Sequence, residues 1–393
     1  MPVLMRIRER FAEEKPFEGL TIGVALHIEA KTAAFIRTLE AGGAEMAVTG
    51  SNPLSTIDSV AAALAQQGSN IYAWRGESDD EYYENLERVF SHRPDILIDD
   101  GADLISYGHS ENPEFLSEVL GGAEETTTGV KRLRAMEKKN DLKIPIFAVN
   151  DTPAKRLFDN RFGTGESTMN AIMSITNSQI AGKDVVVAGY GYVGRGIAMR
   201  ADGMGARVTV VEPDPIRALE ASMKGFKVTN MDEAATYGDI FVTATGNLKV
   251  IGKKHFGKMK DGALLCNAGH FNVEIDLEGL EELSIDNKEI LEDIQEYELE
   301  DGRRLHVLAE GRLVNLAGKR SLGHPAEIMD MSFALQALTA EYTSKEEPSV
   351  KVHDVPAKID RRVAELKLET QGIELEEMTE EQKEYDQSWK LGT

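Results

Sequence analysis

Val185-Val186-Val187-Ala188-Gly189-Tyr190-Gly191-Tyr192-Val193-Gly194 runs from an apolar strand pattern through spaced glycines into a helix pattern, Gly196-Ile197-Ala198-Met199. This is the strand, turn and helix of a dinucleotide-binding unit. Gly189 permits the tight turn, Gly191 lets backbone approach a pyrophosphate, and Gly194 lets helix and strand pack closely, while the helix N-terminus offers unpaired N–H donors. Tyr192 and Val193 stand between the last two glycines and are expected, with Gly189, Gly191 and Gly194, to bind the cofactor. A second strand pattern, Val208-Thr209-Val210-Val211, ends in Glu212, 18 residues beyond Gly194, where a carboxylate can accept hydrogen bonds from ribose hydroxyls. Glycine spacing alone is a weak signal; the second strand and its acid make it specific.

Outward from this unit the alternation continues in both directions. Short β-type runs at 21–26, 45–48, 71–74, 96–98 and 145–149 precede it, each followed by a helix-length stretch, and runs at 240–243 and 263–266 follow it. Continuous apolar strands alternating with helices predict an α/β fold of two doubly wound parallel-sheet domains. Residues 1–160 would form a substrate-binding and catalytic domain completed by 325–370, residues 161–324 a Rossmann domain, and 371–393 a C-terminal tail. The pattern after Gly323-His324-Pro325, Ile328-Met329-Asp330-Met331-Ser332-Phe333-Ala334-Leu335-Gln336-Ala337-Leu338, is too apolar for an exposed helix and should pack back on the first domain.

Composition narrows the partners. A chain of 393 residues, 41% hydrophobic, can bury two cores. Its net charge of -23 and pI near 4.9 repel phosphate backbones and anionic membranes. No apolar run of membrane-spanning length occurs, and the start of the chain does not read as a signal peptide, so a cytoplasmic protein without nucleic-acid or membrane partners is expected. Cys266 is the single cysteine, so an intrachain disulfide and a multi-cysteine zinc site are excluded; no metal is expected, and the thiol's apolar neighbours predict burial. The acid-rich stretch 274–301 reads as a solvated face.

Ligands of open α/β sheets bind beyond the carboxyl ends of the strands. There the sequence places His27, Asp99-Asp100-Gly101 and Asn150-Asp151 in the first domain, and Thr245-Gly246-Asn247 and Asn267-Ala268-Gly269-His270 in the second. A lone histidine there is usually a loop residue; several polar ends converging on one cleft are not so readily dismissed. Glu124-Glu125-Thr126-Thr127-Thr128-Gly129 adds a carboxylate pair with hydroxyls. Lys155 and Asp159, at i and i+4, share a helical face, and an ordinary surface salt bridge would explain them if they stood alone.

With these residues the chain closely resembles the S-adenosyl-L-homocysteine hydrolase family over nearly all its length. The resemblance rests on Leu26-His27, Tyr72-Ala73-Trp74, Asp99-Asp100-Gly101, Glu124-Glu125-Thr126-Thr127-Thr128-Gly129-Val130, Val149-Asn150-Asp151, Phe158-Asp159-Asn160, Ala188-Gly189-Tyr190-Gly191, Cys266-Asn267-Ala268-Gly269-His270-Phe271, Leu308-Ala309-Glu310-Gly311-Arg312-Leu313-Val314-Asn315-Leu316 and Gly323-His324-Pro325. Together these pieces are highly specific; singly none is. The resemblance implies reversible hydrolysis of S-adenosyl-L-homocysteine to adenosine and L-homocysteine by 3′-oxidation with bound NAD, elimination, water addition and re-reduction. It implies that Glu125, Lys155 and Asp159 hold the ribose hydroxyls, with Lys155 taking the 3′ proton. Asp100 would take the 4′ proton, and His27 and His270 would serve the leaving sulfur and incoming water, in an order left open. Thr126, Thr127, Thr128, Asn160, Glu212, Asn247 and Asn315 match cofactor positions, and His324 matches a hinge and active-site wall. A homotetramer is implied by the family alone.

Three departures qualify the match. Two and four residues after the first-strand histidine many members carry Thr and Glu or Gln, which help read the purine; here stand Glu29 and Lys31. A lysine can only donate, and hypoxanthine offers an acceptor oxygen where adenine has an amino donor, so S-inosyl-L-homocysteine, with inosine, is a second reading of the substrate. Arg217 stands where many members have Asn and would suit a 2′-phosphate, but Glu212 would repel one, so NAD is expected over NADP. The loop 315–324 is two residues longer than expected. The last residues, Ser388-Trp389-Lys390-Leu391-Gly392-Thr393, lack the Lys- and Tyr-containing tail that many members extend to a neighbour's cofactor, which predicts looser cofactor binding.

Two other readings compete. A 2-hydroxyacid dehydrogenase needs an arginine for the substrate carboxylate beside a histidine and an acid, a set that cannot be assembled here. A silent, NAD-binding regulatory homologue should have lost one of His27, Asp100, Glu125, Lys155, Asp159 or His270, and all are present.

Overall fold

The computed structural model describes residues 1–389; Lys390-Leu391-Gly392-Thr393, the end of the expected tail, lie outside the described residues. Two sheets organise the chain. The first holds β1 (Thr21–Ala25), β2 (Glu45–Thr49), β3 (Asn70–Tyr72), β4 (Ile96–Asp99), β5 (Gly121–Glu124) and β6 (Ile146–Ala148). The second holds β7 (Asp184–Ala188), β8 (Arg207–Val211), β9 (Lys227–Val228), β10 (Ile240–Thr243), β11 (Leu264–Asn267), β12 (Ser284–Leu291), β13 (Ile294–Leu299) and β14 (Arg304–Leu308). A late strand, β15 (Val352–Asp354), returns to the first sheet beside β6. The orders are β15-β6-β5-β4-β1-β2-β3 and β12-β13-β14-β11-β10-β7-β8-β9.

Every pairing in the first sheet is parallel, as continuous apolar strands with helical crossovers require. Ile22, Val24, Ile96, Ile98 and Phe147 are buried within one core. In both sheets the strand order reverses at a crevice, between β1 and β4 and between β7 and β10, and the site residues gather there. Helix Ala326–Lys345 packs on the first sheet, burying Phe333, Ala334, Leu335 and Ala337 in the same core as β1 and β4. Phe35 and Phe333 stack at 4.8 Å between centroids, tying residues from opposite ends of the sequence.

β5 carries no apolar signature, because Gly121-Gly122-Ala123 lacks bulky residues, yet this strand lies between β4 and β6 and brings in Glu124, whose buried carboxylate accepts from Gly101 N and Thr126 N at 2.9 Å. The acid-rich stretch is only partly a solvated face: β12 is exposed, but Glu274, Asp276 and Glu296 are buried, and β13 buries Ile294, Tyr297 and Leu299. Its hairpin pairs antiparallel with β14 on an otherwise parallel sheet. Cys266 is fully buried, and burial pushes its thiol far up from the ordinary value. Among the described residues no helix is long and apolar enough to cross a membrane.

Candidate active site

Lys155 occupies the centre of the first-sheet site. It opens a π-helical segment, Lys155–Gly163, whose wide turn was not foreseen from the sequence, and such turns recur at functional sites. Its Nζ lies 2.7 Å from Glu125 Oε1 and 2.7 Å from Asp159 Oδ1, all three side chains buried. This is no surface pair. Two donors complete the carboxylates: Gln336 Nε2 donates to Glu125 Oε2 at 2.5 Å, and Ser332 Oγ donates to Asp159 Oδ2 at 2.6 Å, both from helix Ala326–Lys345. His324 Nδ1 stands 3.2 Å from Asp159 Oδ1, and its Nε2 meets Thr164 Oγ1 at 3.1 Å.

The charges divide the carboxylates. Burial pushes Glu125 up to about 7 against the opposing pull of Lys155. Burial also opposes ionisation of Asp159, but Lys155 and His324 outweigh it and hold that carboxyl well below the usual range. For Lys155, burial lowers the pKa, and the two carboxylates override it and raise it above the ordinary value.

A second cluster faces the first across the cavity. Asp100, just past β4, lies between His27 Nε2 at 3.2 Å and His270 Nδ1 at 3.6 Å, the latter from the loop after β11. The nearest ligand-type atoms of these three residues lie within 4.8 Å of one another. Ser55 Oγ is 2.7 Å from His27 Nδ1 and fixes the ring from behind. Burial works against the Asp100 anion, yet His270 and His27 bring its pKa down to about 2. Burial also lowers the His270 pKa.

His27, Glu29, Asp100, Glu125, Lys155, Asp159, Asn315 and His324 line one inner cavity of about 110 Å³. It adjoins a groove of about 560 Å³ lined by Thr126, Thr127, Thr128, Asn160, Gly189, Gly191, Tyr192, Val193, Glu212, Arg217, Thr245, Asn247, Ala268, Gly269 and His270. Gly194, Asn315 and His324 do not line this groove. Gly194 lies beneath it, where any Cβ would overlap the Gly189 carbonyl. Asn315 donates to Ser167 Oγ at 3.1 Å. Lys31 does not line the inner cavity: its Nζ is 2.5 Å from Glu29 Oε2 and donates to the Leu322 carbonyl at 2.9 Å.

The groove fits a dinucleotide. Gly189 has φ +98°, space is open where a Cβ of Gly191 would project, and helix Tyr192–Gly203 starts without a side-chain cap, leaving its first N–H groups for phosphate. Glu212 accepts from Tyr190 N at 2.6 Å and Asp214 N at 2.9 Å, which fixes its carboxylate at the groove.

Sequence reasoning missed supporting residues. Glu274 accepts from Thr245 N at 2.9 Å, Thr245 Oγ1 at 2.6 Å and Gly246 N at 2.7 Å, holding the loop after β10. Asn150 Oδ1 accepts from Thr127 at 3.1 Å and Asn160 at 2.9 Å; the sequence placed Asn150 only at a strand end. Ser332 and Gln336 stand in the sequence only within an apolar helix pattern, which gives no hint of their targets.

A dinucleotide groove opening onto a buried lysine, carboxylates and imidazoles defines an NAD-binding α/β enzyme in which the groove and a set of titratable side chains meet in one cleft. Two family models match, S-adenosyl-L-homocysteine hydrolase over residues 1–114 and its NAD binding domain over residues 160–321. The S-inosyl-L-homocysteine hydrolase of Methanopyrus kandleri is 58% identical over 398 residues, covering 100% of this chain and 93% of that protein. The adenosylhomocysteinases of Pyrococcus abyssi and Aquifex aeolicus are 57% and 56% identical over 395 and 396 residues, covering 100% of this chain and 93% and 94% of theirs. The chain belongs to the S-adenosyl-L-homocysteine hydrolase family. It is a hydrolase whose cofactor is NAD, and the 2-hydroxyacid dehydrogenase reading falls.

Proposed function

We propose that this enzyme interconverts S-adenosyl-L-homocysteine with adenosine and L-homocysteine, and that the cluster around Lys155 performs the ribose chemistry. The single observation that carries this is the buried Lys155, held at 2.7 Å by both Glu125 and Asp159 beside the dinucleotide groove. NAD held in the groove would supply reversible hydride chemistry at the 3′ carbon. Glu125 and Asp159 accept hydrogen bonds from the 2′ and 3′ hydroxyls, and Lys155 takes the 3′ proton. Its raised pKa opposes that step, so a positive charge in the groove is needed to lower it. Asp100, ionised at neutral pH, takes the 4′ proton once the neighbouring carbonyl has acidified it. An acceptor with a pKa near 2 holds a proton weakly, and His27 and His270 are close enough to pass it on to the leaving sulfur and, in the later step, to take a proton from the incoming water.

Thr126, Thr127, Thr128, Asn160, Glu212, Arg217, Thr245 and Asn247 hold the cofactor from the groove walls, and Glu212 selects NAD over NADP by charge. Relative affinity for the two cofactors tests that selection. Residues 1–160 with 325–370 serve as the substrate domain and 161–324 as the cofactor domain. The enzyme works in the cytoplasm as a homotetramer, which sedimentation of the purified chain tests.

The second reading is an S-inosyl-L-homocysteine hydrolase, favoured by the Glu29–Lys31 pair, which sets an acceptor beside a donor next to the cavity. Incubation with homocysteine plus adenosine or inosine decides both questions. Thioether from adenosine supports the main reading, a strong preference for inosine replaces it with the second, and no thioether from either leaves an NAD-binding regulatory homologue.

A further inference from the structure

Arg132 has no part in the chemistry above. It lies on helix Thr127–Lys139, lines neither the inner cavity nor the dinucleotide groove, and is half-buried. Yet its guanidinium reaches the flanks of two proposed acid–base residues. Nη1 donates to the Gly101 carbonyl at 2.5 Å and to Asp103 Oδ1 at 2.6 Å, and Nη2 donates to Ser106 Oγ at 3.3 Å. The same group lies 5.6 Å from the ring centroid of Phe271, the residue after His270.

Gly101 follows Asp100 and is held from both ends. Its N–H donates to Glu124 Oε1 at 2.9 Å while its carbonyl accepts from Arg132. Its φ of +114° favours glycine, and any Cβ there would overlap the His270 ring. The ring thus packs directly on the peptide that Arg132 and Glu124 clamp. His270 and Phe271 rings meet edge to face at 4.7 Å, so the orientation of one constrains the other.

We propose that Arg132 is a positioning residue for the hydrolase reaction: one guanidinium holds the Gly101 carbonyl on the first sheet and the Phe271 ring on the second, setting Asp100 and His270 against each other across the cleft. The proposal rests on the reading of Asp100 and His270 as acid–base groups. A planar fork can donate in its plane while its face or edge meets an aromatic ring; an ammonium is a point charge and cannot do both in this geometry. A mere surface charge pair with Asp103 would need only the charge, so Arg132→Lys discriminates.

The test uses the full chain loaded with NAD and measures kcat and KM for thioether synthesis, bound NAD and melting temperature. Arg132→Lys and Phe271→Leu are each expected to lower kcat ~10-fold, with KM, NAD content and melting temperature near the parent's. The double variant is expected to lose no more than ~20-fold, because each change removes the same link. Parent-like kcat in either single variant, a loss that follows NAD content or melting temperature, or a multiplicative loss of ~100-fold in the double overturns the proposal. If Arg132→Lys does not fold, Phe271→Leu decides by the same criterion. Asp100→Asn separates the two levels: if it stays active, the reading of the site fails, whereas an inactive Asp100→Asn beside a parent-like Arg132→Lys sinks only the positioning role.

Discussion

Lys155 shows how burial changes the meaning of a residue. As an i, i+4 partner of Asp159 it would contribute little on an exposed helix, but here its removal takes away the cation that two buried carboxylates share. Lys155→Met is expected to cost about 3–5 kcal/mol in urea denaturation and to abolish oxidation of the 3′-hydroxyl. A stable variant that still oxidises the nucleoside would remove Lys155 from its role. Asp100 makes a prediction in the acid range. Its folded pKa of about 2 lies below the ordinary 3.8, so the fold favours the anion. That preference stabilises the protein by about 2 kcal/mol above the ordinary value and fades as pH falls toward 2. The stability gap between parent and Asp100→Asn should narrow by about 1 kcal/mol from pH ~5 to ~3; a constant gap would show that the histidines do not hold the anion.

Among elements, the contact between helix Tyr192–Gly203 and the π-helical segment 155–163 sets the distance between cofactor groove and lysine. A Cβ on Gly196 would overlap the Arg161 carbonyl, and one on Gly165 would overlap the Gly196 backbone. Gly196→Ala should cost about 1–3 kcal/mol and weaken NAD retention on gel filtration; unchanged stability would mean the helices separate freely. Gly196 was legible only as part of a helix pattern, because close approach is a property of two elements that sequence periodicity cannot pair. Glycine-rich β5 went unseen for a related reason: Gly121 and Gly122 pack closely against Pro145, Thr343 and Ile146 and need no bulk of their own. The strand ends of β1, β4, β10 and β11 were legible, since each apolar run stops at a polar residue.

For the whole molecule, the chain leaves the first sheet through residues 150–161 and returns through 323–325, with His324 bonded to both Asp159 and Thr164. Closure about these two segments should reduce the radius of gyration in X-ray scattering when a nucleoside analogue binds; superimposable curves with and without it would count against a hinge. The linear order of residues already specified two α/β units, the dinucleotide turn at Gly189 and the candidate acid–base residues at the strand ends, because strand period, glycine spacing and strand-end polarity are local properties. Folding alone settled that Lys155 is shared by Glu125 and Asp159, that His270 meets Asp100 from the other sheet, and that Arg132 reaches both of their flanks. Apart from the i, i+4 pair Lys155–Asp159, these are contacts between residues tens to hundreds of positions apart, and their distances depend on how the sheets and helices pack rather than on any spacing along the chain.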